Sequence, residues 1–279
     1  MRTQKMAEPR AEISLADFLQ YFPHTPAALA VKECARLTEL RKYDCPSPIL
    51  DVGCGDGLFA SIAFSGAEVW GIDIDAKEGR WAAKSQAYAQ IILGDVTQAH
   101  LPERFFATCV ANCSLEHVPR IDLALKTIHS ALRPGGQAYL FVPNRDWAKH
   151  MVSVSTLSRL GLPTLAKALE DAINHLFIHH HLYDAEGWRN LVKDSGMEVV
   201  TVRPVLSTAT TVAFESLLIP SLLGWANKHL TTRWTNFPGA RRILGYPAFA
   251  MVQALLEAAD GAPSAEYLVV ARRPLSPES

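Results

Sequence analysis

Three glycines and a series of acids in the first hundred residues could do the chemistry of this 279-residue chain. Gly53-x-Gly55-x-Gly57 follows the apolar residues Ile49, Leu50 and Val52, and precedes Leu58, Phe59, Ile62 and Ala63 at helical spacing. Glycines at the carboxyl end of a strand, feeding a helix, let the backbone pass close to a ligand where a Cβ would stand. That is the design of a nucleotide-binding loop. The spacing is G-x-G-x-G, not the G-x-G-x-x-G of dinucleotide sites. Asp51 and Asp56 make the loop acidic, which disfavours a diphosphate and suits a ligand carrying an amine and a fixed positive charge. Asp73 ends a second apolar run, 22 positions after Asp51. The offset is close to the roughly 20 residues at which a carboxylate grips ribose hydroxyls. Asp95 ends a third run, Ala89 to Gly94. Histidine is the commonest general base near neutral pH. His117 follows a fourth run, Thr108 to Asn112, and His179, His180 and His181 precede Tyr183.

S-adenosylmethionine carries an ammonium, a sulfonium and no phosphate, so it fits the acidic loop. The stretch Ile49 to Gly57 resembles the first motif of the class I S-adenosylmethionine-dependent methyltransferases, of the type acting on small molecules. Leu115-Glu116-His117-Val118 is similar to the L-E-H-V segment of that family, and Leu132-Arg133-Pro134-Gly135-Gly136 to the turn before its fifth strand, here Ala138 to Pro143. The likeness covers about residues 48–145, resumes weakly over 183–203, and ends at a strand from Glu266 to Arg272. One departure is Phe105-Phe106-Ala107, where the family has an acid, at a mostly structural position. The resemblance implies S-adenosyl-L-methionine as cofactor, held by Asp51, Gly53, Cys54, Gly55, Asp73, Ile74, Asp95, Val96, Asn112 and Leu115. In it Asp95 faces the adenine amino group and Val96 packs on the ring. His179 to Trp188 is similar to a loop near the family's active site, with Asp184 capping the next helix. The candidate catalytic residues are therefore His117, His180, His181 and Tyr183, and the residues leave open which of them is a base.

These residues must be positioned by alternating strands and helices, which gives an α/β, doubly wound sheet with ligands at its carboxyl edge. The family's order, 3-2-1-4-5-7-6 with strand 7 antiparallel, is implied by the resemblance. Six segments follow. Residues 1–47 form a helical lid, with helices Ile13 to Tyr21 and Ala27 to Tyr43 after a frayed start over 1–10. Residues 48–145 form the Rossmann-like cofactor core, and 146–182 a helical insertion. Residues 183–203 are a core helix and strand, 204–263 an apolar helical cap, and 264–279 the last strand and tail. The cap is rich in large apolar residues (Phe214, Leu217, Leu218, Ile219, Leu222, Leu223, Trp225, Trp234, Phe237, Tyr246, Phe249), interrupted by Pro220, Lys228 and His229. It reads as a cover for an apolar substrate, a peripheral membrane contact through 212–256, or a dimer interface. No run reaches the roughly 18 apolar residues of a membrane span.

Composition excludes some partners. Lys plus Arg number 27 against 28 acids, so the net charge of −1 offers no electrostatic footprint for nucleic acid. The five cysteines form no C-x-x-C pair and their number is odd, which disfavours a metal or disulfide framework. With no signal-peptide pattern at the start, a reducing cytoplasmic location is expected. If 171–181 were helical, Asp171, His175 and His179 would share a face. No H-E-x-x-H or cysteine partner supports a metal there, and none is expected.

The expectation is methyl transfer from S-adenosylmethionine to a small, largely apolar acceptor, oxygen favoured, as in secondary metabolism or lipid and quinone modification. Two alternatives share the fold: an NAD(P)-dependent oxidoreductase, and a non-catalytic accessory protein that keeps the cofactor site.

Overall fold

The strand stretches are short apolar runs closed by glycine or acid, the pattern of a parallel sheet buried on both faces. In the computed structural model, which describes residues 13–218, 221, 224, 227, 235, 237–257 and 264–275, they form one seven-stranded sheet. The strands are β1 (Ile49–Val52), β2 (Val69–Asp73), β3 (Gln90–Leu93), β4 (Phe106–Asn112), β5 (Leu132–Pro143), β6 (Glu198–Pro204) and β7 (Glu266–Arg272). Their order is β3-β2-β1-β4-β5-β7-β6. Strands β1 to β5 are mutually parallel, and β7 runs antiparallel to both β5 and β6. The order reverses beside β1, so the carboxyl ends of β1 and β4 flank the crevice where such sheets bind ligands.

Helices α3 (Leu58–Ala63), α4 (Ala76–Ser85) and α5 (Ile121–Ala131) connect the parallel strands. Asp75 caps α4, accepting hydrogen bonds from the amides of Lys77 and Glu78. The L-R-P-G-G stretch is an excursion within β5. Leu132 pairs with Phe106 and Gln137 with Thr108, so Arg133 to Gly136 bulge out, with Gly135 at φ +77°. Helix α8 (Ala185–Asp194) is capped by Asp184 through the Gly187 amide, as its sequence implied. It buries Trp188 and Val192 against the sheet, and the indole N–H of Trp188 donates to the Pro143 carbonyl at 2.9 Å. A side chain of that size contributes about 2–3 kcal/mol by leaving water, provided its polar atom is paired as here.

Helix α1 (Leu15–Tyr21) opens with a capping box between Ser14 and Asp17. Helix α2 (Ala27–Leu40) ends three residues earlier than its apolar pattern indicated. Helix α2 packs with α9 (Thr208–Ser216), and α1 and α2 both pack with α10 (Pro238–Glu257); α9 and α10 are the described helices of the 204–263 insertion. Phe18 stacks on Phe22 at 4.9 Å and meets Phe249 of α10 at 5.6 Å. Gly245 allows this close crossing, because a Cβ there would stand 2.5 Å from Leu19 Cδ2. The expected lid and cap thus form one helical layer. Ile219, Pro220, Leu222, Leu223, Trp225, Lys228, His229 and Trp234 lie outside the described residues, as does the start over 1–10. No helix among the described residues is long and apolar enough to cross a membrane.

The 146–182 insertion contains α6 (Val152–Arg159) and α7 (Pro163–Leu176). Helix α7 stops at Leu176 and Ile178 adopts φ +54°, a left-handed conformation that turns the chain out of the helix. Residues 171–181 are therefore not one helix, and His179 does not continue the face of Asp171 and His175.

Candidate active site

At the carboxyl ends of β1, β2 and β3 the structure opens a cavity of about 310 Å³. Gly53, Asp73, Ile74, Asp95 and Val96 line it from the cofactor set, with His117, Val118 and Pro119 on the β4 side. Such a volume is at the lower end of small-molecule sites. Each wall is made locally: a parallel strand delivers its last residue to the edge and a tight turn carries the next.

The glycine loop is fixed from below. Gly53 takes φ +75°, and a Cβ on it would come within 2.3 Å of Ser114 Cβ. Ser114 in turn donates to the Val52 carbonyl at 2.5 Å. Gly53 is thus required by the approach of the β4 loop. Gly55, at φ +55°, has no heavy atom within 4 Å of its would-be Cβ, and its backbone is open to a ligand. Its amide donates to Asp73 Oδ2 at 2.8 Å, while the Asp75 amide donates to Asp73 Oδ1. These two bonds hold the Asp73 carboxylate on the cavity wall, where it can accept the hydroxyls of a ribose. Asp56 Oδ1 accepts the Leu58 amide at the first turn of α3. The helix N-terminus on which a dinucleotide diphosphate would rest is therefore already served by an acid.

Asp51 sits behind this wall, 2 % exposed, and accepts the hydroxyl of Tyr88 at 2.7 Å. Burial pushes its carboxyl up to about 7; the Tyr88 hydrogen bond opposes this, and Asp73 and Glu33 reinforce it. Gly71 leaves room for the Tyr88 ring, which a Cβ would meet at 2.9 Å. Tyr88 was not singled out by its sequence context, since it falls in an unpatterned stretch between α4 and β3. Cys54 is buried beside Gly71, and burial raises its thiol. Leu115 is wholly inside the core. Asn112 turns towards α2, donating to Glu33 Oε2 at 2.8 Å and accepting from Arg36 at 3.3 Å.

The other half of the site lies at the ends of β4, β5 and β7. Arg36 makes a two-pronged pair with Glu266 at 2.9 and 2.8 Å and also bonds Glu33 at 2.7 Å. Lys32 completes the group through Glu266. Burial alone would raise the Glu266 carboxyl, but the charges of Arg36 and Lys32 prevail and hold it at about 2. Burial raises Glu33, and Arg36 only partly offsets this. The sequence pattern of α2 rests on its apolar residues and does not single out Lys32, Glu33 or Arg36. No local signal marks their burial, because the partners outside α2, Asn112 and Glu266, are more than 70 residues away.

The Lys32 ammonium lies over the rings of Phe214 at 4.6 Å and Trp147 at 5.6 Å. Trp147 and Phe177 flank His179 at 5.2 and 5.9 Å, and His117 stacks on His179 at 5.5 Å. This aromatic wall joins residues from α2, α9, the segment after β5 and the loop after α7. Burial and the nearby His117 and Lys32 charges hold the His179 ring down at about 4.

The remaining candidate catalytic residues have other partners. His180 is exposed, and its amide donates to the Glu116 carbonyl. His181 points Nε2 at the carbonyls of Val118 and Pro119, at 3.1 and 3.2 Å, so that nitrogen carries the proton. Its Nδ1 faces the Tyr183 hydroxyl at 3.4 Å, and Tyr183 packs edge-on against Trp188. His181 and Tyr183 thus tie the loop after β4 to the loop before α8. Of the four, only His117 stands on the cavity.

Comparisons with known proteins agree with this geometry. A methyltransferase domain family matches residues 14–202. The chain is 33% identical over 115 residues to a ubiquinone biosynthesis O-methyltransferase of Pseudomonas syringae pv. tomato, covering 38% of this chain and 48% of that protein, about half its length. It is 27% identical over 216 residues to the malonyl-acyl-carrier-protein O-methyltransferase of Pseudescherichia vulneris, covering 74% of each. A solved S-adenosylmethionine-dependent methyltransferase from Mesorhizobium loti shares the fold at a TM-score of 0.52 and 18% identity, over 87% of this chain and 98% of that one.

Proposed function

The chain belongs to the class I S-adenosylmethionine-dependent methyltransferases, and from that premise we propose that it methylates an oxygen of a small, largely apolar acceptor. The observation that carries this reading is the junction at His117. One side of that residue is the cofactor cavity with Gly53, Asp73, Ile74, Asp95 and Val96; the other is the aromatic wall of His179, Trp147, Phe177 and Phe214.

Methyl transfer from a sulfonium is an in-line displacement with a good leaving group already in place. The chain's tasks are to hold the cofactor, orient the acceptor and exclude water. Asp73 would take the ribose, Asp95 the adenine amino group, and Val96 the ring face. The aromatic wall would seat an apolar acceptor, and Lys32 supplies a cation beside it for an acidic or phenolic oxygen. Both named relatives are O-methyltransferases, which supports oxygen over nitrogen or carbon. The Asp56 carboxylate at the α3 N-terminus argues against a nicotinamide dinucleotide. Exposed Ile243, Leu244, Tyr246 and Met251 on α10 support a peripheral contact with an apolar surface, from which such an acceptor would be drawn.

The test is incubation with methyl-labelled S-adenosylmethionine and a panel of phenols, quinols, carboxylic acids and amines, with products identified by mass. Label transfer to oxygen of an apolar member supports the reading. Transfer to amines or carbon alone contradicts it.

A further inference from the structure

We propose that Glu116, His117 and His179 form a binding site for one divalent transition-metal ion of the zinc and cobalt class, at the boundary between the cofactor cavity and the aromatic wall. One donor atom from each of the three lies within 4.8 Å of the others. His117 Nε2 stands 3.8 Å from Glu116 Oε1. A tetrahedral ion with bonds of about 2.05 Å needs donors roughly 3.3 Å apart, so closure demands only small side-chain rotations. Nearly half of the His117 side chain is exposed, which leaves it free to make them.

Three features separate this cluster from a chance meeting of polar side chains. The first is two orphans: Glu116 Oε2 and His179 Nδ1 are buried without a hydrogen-bond partner among the described residues. Glu116 is 2 % exposed, and a buried carboxylate oxygen with nothing to accept from is costly unless something fills the place. The second is the orientation of His117. Its Nδ1 lies 3.1 Å from the Ile178 carbonyl, which can only accept. Nδ1 therefore carries a proton, and in the neutral ring Nε2, the nitrogen facing Glu116, keeps its lone pair. A ligating histidine is held in this way, its second nitrogen donating to a backbone carbonyl. The third is the backbone that brings the parts together. The amides of His180 and His181 both donate to the Glu116 carbonyl, at 2.9 and 3.2 Å, which pins the loop after α7 onto the loop after β4. The left-handed Ile178 at the end of α7 turns His179 inward and offers its own carbonyl to His117.

Two imidazoles and one carboxylate suit zinc or cobalt better than magnesium or calcium, which prefer oxygen alone. Three protein ligands leave a coordination position open. That position borders both the cofactor cavity, through His117, and the aromatic wall, through His179. The site rests on donor geometry and does not depend on which acceptor is methylated.

The experiment uses the full chain without a polyhistidine tag, stripped by chelator and dialysed. Cobalt titration is followed by visible absorption, and zinc stoichiometry is counted by elemental analysis. Wild type should bind one equivalent of each. His179→Ala and Glu116→Gln should weaken binding at least 100-fold, while His175→Ala and His180→Ala, outside the cluster, should leave it unchanged. S-adenosylhomocysteine affinity, measured on each variant, shows that the fold persists. As a check needing no variant, zinc should shift the ring-nitrogen resonances of His117 and His179 in wild type and spare those of His175 and His180. Absence of one-to-one binding, equal loss in the His175 and His180 variants, or shifts confined to those rings would overturn the site. Failure of methyl transfer in the acceptor panel would leave these binding results standing, so the two readings fail separately.

Discussion

The two halves of the site are built in opposite ways. The cofactor half, at the ends of β1 to β3, is made by three consecutive strand-turn units within residues 49–96. The half beside it gathers Lys32, Glu116, Trp147, His179, Phe214 and Glu266 from six separate segments. In the first, the cavity acid Asp73 is held by backbone amides and the acid behind it by a single tyrosine hydroxyl. In the second, buried charges neutralise one another across more than two hundred residues of chain. Local construction makes the first half readable in sequence; long-range construction hides the second.

The largest effect should come from breaking the second half. Arg36→Met leaves Glu266 and Glu33 buried with too little compensating charge, a loss expected at about 3–5 kcal/mol in denaturant unfolding. An Arg36→Met variant of wild-type stability would show that the network is not a structural element. Gly53→Ala attacks the first half. The left-handed backbone costs about 1–3 kcal/mol, and the Cβ meets Ser114 besides. Stability and S-adenosylhomocysteine binding should fall together, with calorimetry and thermal melting as readouts. Asp73→Ala removes charge-assisted hydrogen bonds of roughly 1.5–3 kcal/mol each from the cofactor and frees the Gly55 amide. Its affinity loss of tenfold or more should exceed its loss of stability, and the reverse ratio would make Asp73 a loop strut only.

Two buried acids, one from each half, should answer pH with opposite sign. Glu266 is held below its ordinary value, so its contribution is present above about pH 4.5 and disappears as pH falls towards 2. Glu266→Gln should therefore cost more at pH 7 than at pH 3. Asp51 is raised, so its contribution is complete below about pH 4 and is lost as pH rises through about 7. Asp51→Asn should gain stability relative to wild type between pH 5 and pH 8. Melting temperatures of both variants across this range check the pair, and slopes of equal sign would remove the distinction.

The same contrast explains what the sequence made legible. Ile49 to Val52, Val69 to Asp73 and Gln90 to Leu93 announce themselves because each is a short apolar run ended by glycine or acid. The caps Asp75 and Asp184 follow from local hydrogen-bond chemistry. The end of α7 at Leu176 carries no local stop signal, because the left-handed residue that follows is Ile178, not glycine, and its carbonyl meets His117, 61 residues away. Tyr88 and Ser114 carry no local signal because their partners, Asp51 and Val52, are 37 and 62 residues away. Lys32, Glu33 and Arg36 carry the composition of a solvated face, and only the distant Asn112 and Glu266 make them interior.

The most direct test of the central claim, that residues 51–96 form a site for S-adenosylmethionine, is calorimetric titration with S-adenosylhomocysteine, with NADH as control. One-to-one binding of S-adenosylhomocysteine in the micromolar range, about −8 kcal/mol, weakened in Asp73→Ala and without any NADH heat, is the predicted result. Binding of NADH alone would contradict the account.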